Sequence, residues 1–480
     1  MPLYHDRKFT GRGPVGSESI RMSRKAFKGG IMIFKHVLLA MGLMVLLWTP
    51  VLAQKYGITA KVLGNGLEVI VIENHGVPLA TIEICAKNGA YTEPPELDGL
   101  SHLYEHMFFK ANKEIPNQER YLERTRELGI SWNGTTSEER VNYYFTLHKD
   151  DLADGLKFMN DAIRYPLFLH EELLREREVV IAEFDRAEAN PFFHLGQAVG
   201  RGMWYKYFSR KNVIGDRDTI LATDEIKLRM IQSRYYIPNN SALIVAGDVK
   251  PDDVFRQVEA MFGDWEPGND PFEEFPIPEH PPLTEGKTIA VVQPVNFIFI
   301  QRTWHGPSMR DDVAGTFAAD VFSFILGQPD SRFQKNLVDA GLVDFVGFGY
   351  QSLVYTGPIT LSARTSADRC ENALAAIAAE IEKFDDPDYF TDEQLEFAKN
   401  QLEISEIYGR EQANQFAHTI SYWWCAGDLQ YYLDYIDNLR RVTRDDIYKY
   451  INTYVKGKPA ITGVLLSASD QQNLQIGETN

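Results

Sequence analysis

The sequence predicts an α+β protein made of two similar halves, and three observations lead there. The chain has 480 residues, too many for one ordinary core, so two or more domains are expected. Strand-like and helix-like segments come in runs and do not alternate one by one, which is the α+β pattern. The run order of the first half then returns after a proline-rich stretch, as strands, a helix, more strands and more helices. Hydrophobic residues make up 44% and charged residues 24%, enough to build full cores and too apolar for a disordered chain. A net charge of −18 argues against a nucleic-acid partner.

Residues 1–53 read as a leader and signal peptide. Val37 to Trp48 is an almost unbroken apolar run behind Lys35 and His36. It ends in Thr49-Pro50-Val51-Leu52-Ala53, a small-residue cleavage layout before Gln54. The run is short for a membrane span. An exported, periplasmic protein cleaved near Ala53 is expected, with an uncleaved N-terminal anchor as the alternative. The basic stretch ahead of the run is long, and a start at Met32 or Met22 would shorten it toward an ordinary signal.

The first half is expected over 54–266. Leu67–Asn74 and Leu79–Lys87 read as strands from their Val and Ile content and alternation. A helix at about Leu97–Lys110 follows, then strands at Gly129–Gly134 and Val141–His148 around Thr135-Thr136-Ser137. Helices fill Lys149–Phe208, and a strand at Ala242–Ala246 and a helix at Pro251–Phe262 close the half. Residues 267–285, with six prolines between Pro267 and Pro282, carry a linker signature. The second half, 286–470, repeats the theme. Strands are expected at Thr288–Gln293 and Phe297–Thr303, a helix at Asp311–Leu326, and strands near Phe345–Ser352 and Pro358–Ser366. Helices run from Cys370 to Tyr454, and 471–480 form a tail. Cys85, Cys370 and Cys425 make no Cys-x-x-Cys pair, so neither a thiolate metal site nor a disulfide framework is suggested. A Cys370–Cys425 pair stays open beside the plainer reading of three buried small side chains.

The chemistry concentrates in the helix at Leu97–Lys110, which carries His102-Leu103-Tyr104-Glu105-His106. Two histidines four apart share one helical face and can grip one cation. Glu105, three after His102, lies close enough to take a proton from a metal-bound water without being a ligand. This H-x-x-E-H order reverses the commoner H-E-x-x-H and points to a zinc peptidase. A solvated face could carry the same residues without a metal. Leu100, Leu103, Met107 and Phe108, however, would bury the helix, and a metal gives half-buried His and Glu a reason to be there.

A catalytic zinc usually keeps three protein ligands and one open position. The helix-like stretch Glu171–Arg186 offers Glu176 and Glu183, seven apart and on one face. One can ligate while the other orients a ligand. Spacing alone leaves the two roles open.

With these residues in view, the chain resembles the pitrilysin, insulinase and mitochondrial processing peptidase family. The resemblance rests on the inverted pentad and on Glu176-Arg177-Glu178-Val179-Val180-Ile181-Ala182-Glu183 at the family's distance downstream. It extends to Asn65-Gly66-Leu67-Glu68-Val69, Glu93-Pro94-Pro95-Glu96, Arg234-Tyr235-Tyr236-Ile237-Pro238-Asn239-Asn240 and Val245-Ala246-Gly247-Asp248-Val249, covering about Tyr56 to Ser467. It implies a duplicated α+β lobe forming half of a clamshell, with one Zn2+ per chain on His102, His106 and Glu183. It also implies Glu176 as the supporting carboxylate and Glu105 as the catalytic base of a zinc metalloendopeptidase. Peptides or small unfolded proteins would be cleaved in an enclosed chamber. The alternative is a non-catalytic structural or assembly subunit of the same fold.

Two further expectations come from the resemblance. Ser131–Ser137 is similar to an edge strand that pairs with substrate, which makes Asn133 a substrate contact; an Asn-Gly turn is the other reading of Asn133-Gly134. In the second half, relatives carry an Arg and a Tyr that stabilise the tetrahedral oxyanion. Here Val338 stands at the Arg position and Phe345 at or near the Tyr, with Tyr350 close by. Neither Val338 nor Phe345 can donate to an oxyanion. A homologous partner subunit supplying the Arg/Tyr pair is therefore expected, as a heterodimer, with a homodimer as the alternative.

Overall fold

A computed structural model describes residues 55–474. The leader, the cleavage position and the anchor alternative lie outside the described residues, as do positions 475–480 of the tail. Two sheets form the frame. The first contains β1 (Ile58–Val62), β2 (Glu68–Glu73), β3 (Leu79–Ala86), β4 (Ser131–Thr136), β5 (Val141–His148) and β6 (Ser241–Gly247), in the order β1-β2-β6-β3-β5-β4. The second contains β7 (Lys287–Val292), β8 (Ile298–His305), β9 (Phe345–Tyr350), β10 (Pro358–Thr365) and β11 (Ile461–Leu466), in the order β7-β11-β8-β10-β9. Replacing β2-β6-β3-β5-β4 by β7-β11-β8-β10-β9 reproduces every neighbour. It also reproduces every direction, since β2–β6 and β7–β11 are parallel and the other pairs antiparallel. The duplication expected from the repeated pattern is thus a duplication of topology, with β1 extra.

Eight helices carry the rest of the argument. In the first half they are α1 (Leu100–Phe108), α2 (Leu152–Arg164), α3 (His170–Glu188) and α4 (Pro191–Met203). In the second they are α5 (Val313–Gly327), α6 (Cys370–Ile381), α7 (Asp392–Gly409) and α8 (Ala413–Ala426). Two helix starts move. The helix expected from Leu97 starts at Leu100, because Pro95–Leu97 forms its own tight turn and Gly99 then adopts φ +94°. A side chain at Gly99 would strike the Cα of Gly215, so glycine is required there. The helix expected from Asp311 starts at Val313, because the Asp312 side chain accepts the Gly315 amide and caps it. β1 and β11 go beyond the expected strands. β11 is buried throughout, and a short apolar run of that kind carries no alternation to announce it.

Each sheet is covered on both faces. Ala80, Ile82, Ile84 and Ala86 of β3 point into the first core with α1 and α2, as period-two alternation requires. The intervening Cys85 faces Phe416, Ala417, Ile420 and Trp424 of α8, a helix from the second half. Reciprocally, Leu195, Val199 and Met203 of α4 pack on Val291, Ile461 and Leu465 of the second sheet. Each half therefore lends a helix, α4 from the first and α8 from the second, to the other's sheet. At about 1.5–3 kcal/mol for each large side chain buried, these exchanged faces bind the halves strongly. The proline-rich stretch is packed as well: Pro271–Glu274 makes a helical turn, Phe272 sits against the first core, and Leu283 joins the α4 cluster.

Candidate metal centre

α1 is held at its N-terminus by a side chain from outside the helix. Glu93 Oε2 accepts the Gly99 amide at 2.7 Å and Oε1 accepts the Ser101 amide at 2.5 Å, satisfying donors that a helix start leaves free. Leu100, Leu103, Tyr104, Met107 and Phe108 bury the opposite face. This fixes the axial position of His102 and His106, whose rings meet edge to face with centroids 5.0 Å apart. α3 crosses α1 and brings the two candidate carboxylates.

The distances separate those carboxylates. Glu183 Oε2 lies 3.5 Å from His102 Nε2 and 3.6 Å from His106 Nε2. Glu176 Oε2 lies 3.2 Å from His106 Nδ1, the far nitrogen of that ring, and Glu176 Oε1 meets Lys110 Nζ at 2.5 Å. Among the described residues, His102, His106 and Glu183 are the one group of histidine, cysteine or carboxylate ligand atoms close enough to hold an ion, all within 4.8 Å of one another. Ligand atoms of a tetrahedral zinc with bonds of about 2.0–2.2 Å stand roughly 3.3–3.5 Å apart. The donor set and its spacing fit that ion. Lys110, one turn beyond His106, was not singled out from the sequence; its i, i+4 spacing was the available signal.

Burial and charge set the protonation states. Burial, with His106 beside it, lowers His102 to about 4, so its ring is neutral at ordinary pH and free to ligate. Burial also disfavours charge on His106, but the hydrogen bond to Glu176 and the charges of Glu183 and Glu105 outweigh it and raise its pKa. Glu176 is the converse: burial opposes its charge, and His106 and Lys110 prevail and lower its pKa. Glu105 is pushed up by burial, against a hydrogen bond that it accepts from Thr136 Oγ1 at 2.7 Å.

β4 is the edge strand beside this cluster. A Cβ on Gly134 would stand 3.1 Å from Glu105 Oε1, so the carboxylate lies directly against the strand. Asn133 is exposed within β4 and opposite Tyr144 of β5, which rules out the turn reading of Asn133-Gly134. Gly134 and Thr136 also meet Glu105, and the sequence signal for them is their place in the edge-strand segment Ser131–Ser137. In the second half, Val338 is half-buried against the second core and Phe345 is 51% exposed at the start of β9. Tyr350 gives its hydroxyl to the Pro307 carbonyl at 3.0 Å.

The fold and this cluster together define a duplicated α+β protein whose inverted motif contributes to a His/His/Glu group able to hold a metal ion. The "Insulinase (Peptidase family M16)" model matches residues 68–210 and the "Peptidase M16 inactive domain" model matches 227–402, and the chain belongs to this family. It is 30% identical to human insulin-degrading enzyme over 235 residues, which is 46% of this chain and only 22% of that one. It is 22% identical over 363 residues to an uncharacterized zinc protease of Rickettsia bellii, covering 73% of this chain and 83% of that one. In fold it is similar to a protease from Helicobacter pylori, with a TM-score of 0.74 and 21% identity over 85% of this chain and 98% of that one. The periplasmic protease PqqL from Escherichia coli gives 0.70 at 16% identity, over 88% of this chain and 49% of that one.

Proposed function

We propose that the chain is a zinc metalloendopeptidase with His102, His106 and Glu183 as ligands and Glu105 as the catalytic base. The observation that carries this is the convergence of two Nε2 atoms and one carboxylate oxygen next to a strand edge that is unpaired among the described residues. Membership of a peptidase family supports it. Bound zinc would polarise the scissile carbonyl and acidify a water. Glu176, accepting the Nδ1 proton of His106, leaves Nε2 with its lone pair toward the metal. Burial keeps His102 neutral for the same purpose. Glu105, with its raised proton affinity and the Thr136 hydrogen bond orienting it, is suited to take a proton and return it to the leaving amine. An extended peptide adding to β4 would use main-chain hydrogen bonds, with Asn133 beside it.

The test is cleavage of a quenched peptide pool together with metal analysis. Zinc near one per chain, and turnover lowered by roughly 10²–10⁴-fold in Glu105→Gln, is the expected result. A metal-free, inactive chain would favour the non-catalytic subunit instead.

A chamber closed by a second, homologous subunit supplying the Arg/Tyr pair is part of the same proposal. PqqL, which this fold matches over half its length, supports the need for another half. The commitment of Tyr350 to Pro307 and the identities of Val338 and Phe345 favour a heterodimer over a homodimer. Full turnover by the purified lone chain would reject it. Export to the periplasm, from the signal layout ending at Ala53, completes the reading, and N-terminal sequencing of the mature protein tests it.

A further inference from the structure

We propose that Cys85 and Cys425 form a disulfide that staples α8 of the second half onto β3 of the first when the chain folds in an oxidising compartment. Both lie in one buried cluster between the halves, 1% and 2% exposed. Their surroundings run side by side. Cys425 Sγ is 3.6 Å from the carbonyl of Ala86, the residue after Cys85. Lys87 Nζ donates to the Gly427 carbonyl at 3.3 Å and stands 4.6 Å from the Trp424 ring centre. Glu83, two residues before Cys85, is paired with His418 of α8. Between these contacts Cys85 Sγ lies 3.8 Å from the Ala242 carbonyl, and both cysteines are free thiols in this structure. Cys370 lies in the separate core of the second half, which removes the Cys370–Cys425 pairing that the sequence left open.

The chemistry is thiol–disulfide exchange with a disulfide-bearing oxidoreductase or oxidised glutathione. One cysteine thiolate attacks the donor disulfide and expels one donor thiolate. The second cysteine then attacks the mixed disulfide, closes the Cys85–Cys425 bond and expels the other. Two electrons pass to the donor, and the two thiol protons end on its sulfurs. Burial strongly opposes ionisation of Cys85 in the folded chain, so exchange must occur while α8 is still seating. The closed bond is then shielded from reductant. It would tie together two points far apart in the sequence, where a cross-link restricts the unfolded chain most. This inference does not depend on the metal reading.

The protein is refolded from urea in a reduced and oxidised glutathione buffer, alkylated under denaturing conditions, digested and mapped by mass spectrometry. Protein made in an oxidising secretory compartment and never unfolded is mapped in the same way. The expected result is a Cys85–Cys425 linked peptide with Cys370 alkylated, and a thermal midpoint higher by roughly 3 °C than after dithiothreitol refolding. Cys370→Ser should keep the link. Three free thiols in both preparations, or a bond to Cys370, would overturn the staple.

Discussion

In the first half, α1, β4 and α3 surround two imidazoles and three carboxylates. In the second, the matching elements α5, β9 and α7 surround a cavity of about 510 Å³ whose lining includes Asp320, Ser323, Phe324, Phe397 and Gln401. The inward faces are alike in kind: Leu100, Leu103, Met107 and Phe108 in α1, and Phe317, Val321, Phe322 and Ile325 in α5. The faces turned to the cleft differ completely. Asp320, the one acid on that face of α5, is engaged by the Tyr435 hydroxyl at 2.7 Å. The frame therefore follows from the apolar pattern, and among the described residues the second half builds it with no group of histidine and carboxylate ligands close enough to hold a metal ion. On the proposed reading, metal chemistry is an addition to the first copy and not a support for it.

The strongest challenge to that comparison is removal of the ligands. Chelation, or His102→Ala, His106→Ala or Glu183→Gln, should abolish metal binding and peptide cleavage, with the circular dichroism spectrum and cooperative unfolding retained. If the ligand-free protein unfolded, the first half would differ from the second in needing its metal, as a zinc finger does. Next in size is Glu105→Gln. It should keep the metal and the fold, and lower turnover by roughly 10²–10⁴-fold, the usual contribution of a general base. Metal content measured beside kcat separates this loss from that of the ligand variants.

The comparison also shows what the chain discloses before folding. The repeated run of strands and helices, the helix at Pro251–Phe262 and the strand at Val141–His148 are legible, because period-two or helical spacing of apolar residues is visible locally. The pentad is legible for the same reason: His102, Glu105 and His106 lie within one turn and a half of helix. Glu176 and Glu183 could be found but not told apart, since which nitrogen of His106 each one faces depends on how α3 crosses α1. The exchange of α4 and α8 between the halves is invisible locally, because an amphipathic helix declares that it has a partner and not which one. The Glu93 cap on α1 and the meeting of Cys85 and Cys425 in one buried cluster are likewise long-range events.

A finer test sharpens the difference between the two carboxylates of α3. Glu176→Gln should weaken metal affinity by roughly 10–100-fold, as loss of a hydrogen bond to a ligating histidine does, while Glu183→Gln removes binding outright. Titration with a competing chelator reads both. The reverse order would exchange their roles. Lys110→Met should resemble the Glu176 variant, since Lys110 Nζ holds the other oxygen of that carboxylate.

The smallest effect on catalysis is expected where the halves meet beside the site. Glu139, in the β4–β5 connection, is 2% exposed and accepts the amides of Val354 at 2.5 Å and Tyr355 at 3.1 Å from the second half. Burial pushes its carboxyl up to about 7, although Lys211 and those two amides favour the charge. A folded-state pKa above the unfolded value means that the folded chain holds the proton more tightly. Its stabilising share is full below about 4.5, the ordinary glutamate value, and is lost as pH rises through about 7. Between pH 5 and pH 8 the wild type should therefore lose stability relative to Glu139→Gln, by on the order of 3 kcal/mol at most. Peptide turnover at pH 7 should stay within roughly twofold, because Glu139 touches neither Glu105 nor the ligands. Urea unfolding of both proteins at several pH values in that window gives the difference directly. A constant difference would mean that Glu139 stays ionised in the folded chain, with the amides of Val354 and Tyr355 and the charge of Lys211 outweighing its burial.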